Sequence, residues 1–142
     1  MKSQKGVTLV SVAIYIVVML IIVAVISRIS AVFYKNVKNT TGQAGAYTEY
    51  TKFNNYLTKE INIKGNEVRA CQNTSDMNYI IFSTTQNQYS FVKSDNSIYR
   101  NKARICKNVD NCSITYDENT KIISVYLKIN SVEYNLKYTV YR

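Results

Sequence analysis

The chain has no histidine, no proline and no tryptophan, and only four glycines and three cysteines. Without histidine there is no imidazole base, no Ser-His or Cys-His pair and no His-ligated zinc. Neither an enzyme nor a cofactor-dependent protein is expected. Glycine is also badly placed for turn-making: none follows Gly65, so later turns fall to Asn, Asp and Ser. Negative charge is scarce, with 9 Asp+Glu against 18 Lys+Arg and a formal charge of +9. A chain of 142 residues holds one modest domain plus whatever its apolar N-terminus does.

What is present is an apolar run. Between Lys5 and Arg28 lie 22 uncharged residues, 6–27, nearly all of them apolar. A membrane-spanning helix needs about 20 such residues. A secretory signal has an apolar core of about 7–15 residues and then a small-residue cleavage site. Here the run is longer, and SRISAVFYK continues it as an amphipathic pattern. Lys2 and Lys5 precede the run while Arg28, Lys35 and Lys38 follow, so charge bias alone leaves the orientation open.

The junction says more. MKSQKG is a short basic leader ending in glycine, followed at once by VTLVS and the apolar helix. It resembles the prepilin leader of type IV pilins and of the pseudopilins of type II secretion and competence systems. The resemblance implies cleavage between Gly6 and Val7 by a prepilin peptidase and N-methylation of Val7. It implies a single-pass protein of the cytoplasmic membrane, its C-terminal domain outside, that later enters an extracellular pilus or pseudopilus. The implied partners are the lipid bilayer before assembly, the peptidase, a membrane assembly platform, and other pilin subunits met through the N-terminal helix. One position departs from the family: the fifth residue of the mature chain, usually Glu, is Ser11. Since the family's exception lacking that Glu sits at the filament tip, the resemblance implies a minor, initiating or tip-proximal subunit. The competing reading is a membrane-tethered extracellular module, binding DNA or a surface ligand, that never enters a filament.

Four segments are expected: a leader (1–6), a membrane and assembly helix (7–28), its amphipathic continuation (29–65) and a β-sheet domain (66–142). The glycines of TTGQAG, Gly42 and Gly45, each cost a helix about 1 kcal/mol and predict a kink or local melting. Ala46, Tyr50, Phe53, Leu57 and Ile61 then form one apolar stripe, ending near Lys64-Gly65 with the glycine as a left-handed cap. Beyond residue 67 the period becomes 2. Strands are predicted at Tyr79–Ser83, Gln88–Lys93, Ser97–Arg100, Ser113–Tyr116, Lys121–Asn130 and Val132–Tyr141, in one antiparallel meander. The expected class is therefore α+β, with the second half of a long helix packed on an antiparallel sheet, the pilin-like layout.

All three cysteines fall in the part that the resemblance places outside the cell, where a bridge is expected. Cys106 and Cys112, flanking KNVDN, are the favoured pair, and Cys71 with Cys106 is the alternative. Without His or a C-x-x-C pair they give little sign of a metal. Asp110, Asp117 and Glu118 gather near a turn, but their spacing is not that of a calcium loop and a solvated turn is expected. Removing Lys2, Lys5 and Arg28 from the count leaves 15 basic against 9 acidic residues, or +6. Basic residues among many tyrosines invite a DNA reading. Tyrosine at period 2 is ordinary strand composition, however, and the basic residues are dispersed, so DNA is the weaker partner.

Overall fold

The computed structural model describes residues 5–74 and 78–140. Leader residues 1–4, and with them Lys2, lie outside the described residues. The fold is α+β: among the described residues, one α-helix, α1 (Lys5–Ile61), is followed by eight strands in antiparallel sheets, with a short 3-10 turn at Lys93–Asp95. The chain divides into two units, 1–41 and 42–142.

In the first unit α1 is unbroken, and from Leu9 to Val37 its large apolar side chains are exposed, Leu9 at 74% and Val37 at 46%. No part of its most apolar stretch is buried. Among the described residues it is the one helix long and apolar enough to cross a membrane. A helix with this surface must be covered by something apolar.

In the second unit, α1 continues through Gly42 and Gly45 in helical conformation, so the expected melting does not occur. The glycine penalty is about 1 kcal/mol each. It is outweighed by the packing that begins immediately afterwards, where Ala46, Phe53 and Leu57 are fully buried. Burying a side chain the size of Phe or Leu contributes about 1.5–3 kcal/mol. The helix ends at Ile61, earlier than the predicted Lys64. Gly65 does adopt the left-handed conformation, at φ +74°, but as part of the turn after the helix. Asn66 closes the end: its side-chain amide donates to the Glu60 carbonyl at 2.9 Å.

The strands are β1 (Val68–Asn73), β2 (Asn78–Phe82), β3 (Gln88–Val92), β4 (Ser97–Arg100), β5 (Ala103–Cys106), β6 (Val109–Asp117), β7 (Ile122–Ile129) and β8 (Val132–Thr139). The single meander is corrected to two: a five-stranded sheet in the order β1-β2-β3-β4-β5 and a three-stranded sheet β6-β7-β8. β1 and β5 were not predicted. Both are edge strands, carrying Arg69 and Arg104, and neither shows clean alternation. β6 extends the predicted Ser113–Tyr116 in both directions. The sheets meet through two asparagine side chains rather than a backbone ladder. The Asn78 amide donates to the Cys112 carbonyl and accepts from the Ile114 N–H at 3.3 Å, while Asn73 donates to the Ser113 hydroxyl at 2.7 Å.

The strongest alternation is in β7, where Ile123, Val125, Leu127 and Ile129 are buried. In β8, Val132, Tyr134, Leu136 and Tyr138 share the half-buried face, as their period predicts. The turn residues are largely those expected. Asn96, Asn101, Asn108, Asn130 and Ser131 take positive φ, joined by Gln86 and Lys121. Asn130 and Ser131, both at positive φ, form the two-residue β7–β8 hairpin, in which Ile129 pairs with Val132.

Candidate functional site

Two features stand out: the exposed apolar helix in the first unit, and the polar anchors that hold the C-terminal half of α1 onto the sheets in the second. On the helix, Val12, Tyr15, Ile16, Met19, Leu20 and Val23 recur at helical spacing and make one continuous apolar strip. The backbone of Gly6 and Val7 is helical, and Ser11 is half-exposed one turn before Tyr15.

The anchors are built on two carboxylates in the same stripe as Phe53 and Leu57. Glu60 is 2% exposed. It accepts hydrogen bonds from Asn87 at 3.0 and 3.1 Å, from the Tyr89 hydroxyl at 3.0 Å, from Asn66 at 3.2 Å and from the Thr85 hydroxyl. Arg100 reaches it at 3.4 Å and lies 5.7 Å over the Tyr56 ring. Burial alone would push the Glu60 carboxyl up. The donors Thr85, Asn87 and Tyr89 and the Arg100 charge outweigh it and hold the group below the ordinary glutamate value. Burial, reinforced by the Glu60 charge, pushes the Tyr89 hydroxyl well up, so it stays a donor. Glu49, also buried, bonds Lys52 at 2.8 Å and accepts the Lys107 N–H at 3.1 Å. Tyr50 stacks on Tyr134 at 4.3 Å, and the Tyr138 hydroxyl donates to Asn54 at 2.6 Å. The expected stripe contained Tyr50, Phe53, Leu57 and Ile61 but neither carboxylate. Helical spacing from Phe53 and Leu57 was the only signal that could have marked Glu49 and Glu60.

Cys106 and Cys112 are both buried in the core, at the end of β5 and within β6, and Cys71 is half-buried on β1. All three are thiols in this structure. Cys106 Sγ donates to the Glu49 carbonyl at 3.3 Å and Cys71 Sγ to the Ile114 carbonyl at 3.5 Å. Burial pushes the Cys106 and Cys112 thiols up to about 12. Cys71 is also raised, again by burial first.

The acidic turn residues are engaged locally. Asp117 accepts from the Asn119 N–H at 2.9 Å and the Thr120 hydroxyl at 2.8 Å, and Asp110 accepts the Ser131 N–H at 2.7 Å. Glu118 is exposed. Among the described residues, no three His, Cys, Asp or Glu side chains come together as metal ligands. No protein-family model, no curated protein and no solved structure matches this chain.

Proposed function

We propose that the chain is a minor pilin or pseudopilin, a subunit of a type IV pilus, competence pilus or type II secretion-like filament, with no catalysis of its own. One observation carries the reading. A helix whose apolar stretch is wholly uncovered stands directly behind a basic leader ending at Gly6 and runs on into a packed α+β domain. Such a helix is stable in a bilayer and equally stable among neighbouring apolar helices. Moving from one to the other exchanges one apolar environment for another, so close packing decides the assembly.

Ser11 sets the position in the filament. A carboxylate there would be costly in an apolar bundle, about 2.5–3.5 kcal/mol unless paired, and would seek a neighbour's charged N-terminus. Serine offers only a hydroxyl, which can bond back to its own helix. The subunit therefore does not dock beneath others through that contact, and it acts first or near the tip, with other minor subunits.

Mass spectrometry of the native protein tests the processing: the mature chain begins at methylated Val7, with a formal charge of +7 after Lys2 and Lys5 leave +9. Gly6→Leu blocks the cut and holds the chain in the membrane. An intact Met1, or normal filament incorporation of Gly6→Leu, overturns the proposal, and the first outcome favours the membrane-tethered module. Ser11→Glu raises the copy number along the shaft. Abundance of the natural chain along the shaft removes the tip role.

A further inference from the structure

We propose that the helical stretch just past the apolar run, Arg28 to Lys38, is a seat for anionic phospholipid headgroups, with Arg28 meeting the phosphates and Lys35 and Lys38 adding attraction from further out. This rests on the membrane-spanning reading of α1 and adds a lipid class to it.

The first observation is charge. Arg28, Lys35 and Lys38 are all exposed, and the ion pairs among the described residues belong to Lys52, Arg100 and Lys128 instead. No Asp or Glu precedes Glu49 anywhere in the sequence. A second copy of this chain alongside in the same membrane supplies no counter-charge at this level, whereas a layer of phosphodiesters does.

The second is position. Twenty-two residues at 1.5 Å span about 33 Å, against a hydrocarbon core of about 30 Å. Arg28 therefore falls at the edge of the headgroup layer. Lys35 lies seven residues on, within about 20° of Arg28 around the helix. Lys38 lies about 60° further round and about 15 Å along the axis from Arg28. The three cations make one face, graded outward from the membrane. Phe33 and Tyr34, 68% and 72% exposed, lie at the same level of the helix, Tyr34 beside the face at Lys38 and Phe33 on the opposite side, where aromatic side chains suit a membrane interface. Basic residues next to a span attract anionic headgroups, and the attraction fades within a Debye length of about 8–10 Å. Arg28 thus contributes most and Lys38, about 15 Å further out, least.

The chain has no tryptophan, so Tyr34→Trp provides a single fluorescent reporter inside the seat. The full chain is reconstituted in phosphatidylcholine vesicles containing phosphatidylglycerol, with either lipid brominated at equal mole fraction. Brominated phosphatidylglycerol is expected to quench as though enriched around the helix, on the order of fivefold per engaged cation. The excess should fall at 1 M salt, where the Debye length is about 3 Å. It should disappear in the Arg28→Gln/Lys35→Gln/Lys38→Gln variant, with Arg28→Gln alone costing more of it than Lys38→Gln alone. Equal quenching by the two lipids in a chain that floats with the vesicles overturns the headgroup seat alone. So does a preference that survives in the triple variant. A chain that fails to float with the vesicles overturns the membrane reading and the seat together.

Discussion

At the scale of single residues, Glu60 carries the sharpest consequence. Its carboxylate is met by donors from Thr85, Asn87, Tyr89, Asn66 and Arg100, and a glutamine there would turn an N–H₂ toward some of them. Glu60→Gln should destabilise the domain by about 1–3 kcal/mol at pH 7. The folded carboxyl lies below its ordinary value of 4.5, so its contribution is complete above that pH and is lost as pH falls through the folded value. Denaturant titrations between pH 7 and pH 3 should show natural chain and variant converging toward acid. Parallel curves would mean the carboxylate charge is not what holds the helix end. The thiols give a second test. Cys106 and Cys112, both buried and raised to about 12, hold little thiolate at neutral pH. Native-state alkylation of the reduced protein should label half-buried Cys71 first, and peptide mapping in a time course would show the order.

At the scale of elements, the two helical glycines and the turn glycine should respond in opposite directions. An added Cβ at Gly42 meets nothing within 4 Å, and at Gly45 only Asn130 Nδ2 at 3.7 Å, an ordinary contact. Gly42→Ala should stabilise by about 0.5–1 kcal/mol, because alanine loses less freedom in a helix. Gly65→Ala should destabilise by about 1–2 kcal/mol, since φ is +74° there and an L side chain crowds the next carbonyl. Thermal melts of both variants would decide it. A destabilised Gly42→Ala would mean the backbone there must depart from a plain helix.

At the scale of the whole molecule, all of the buried apolar core, from Ala46 to Val140, belongs to the second unit, 42–142. A chain beginning at Gly42 keeps every one of those residues together with the Glu49 and Glu60 anchors. It should fold and stay monomeric without detergent, with one cooperative unfolding transition by circular dichroism, while the full chain should require detergent or lipid. Aggregation of the shortened chain would mean that residues 42–142 do not fold as an independent unit.

The sequence alone determined whatever repeats locally. The uncharged run of 6–27, the Phe53/Leu57/Ile61 stripe, the alternation of β7 and β8, and the burden on asparagine in the turns follow from spacing between near neighbours. Each was legible because a side chain's face in a helix or strand depends only on its position in the period. Tertiary structure decided the rest. Glu60 is sheltered by donors 25 residues away at Thr85 and 40 away at Arg100, and no local pattern announces such a meeting. The glycine pair looked like a place for the helix to kink or melt locally because a local penalty was visible while the packing that offsets it was not. The split into two sheets was equally hidden, since what bridges them is side-chain hydrogen bonding from Asn73 and Asn78 to β6 and not a strand pairing. Periodicity fixes which way a side chain points; only the folded chain supplies what it meets there.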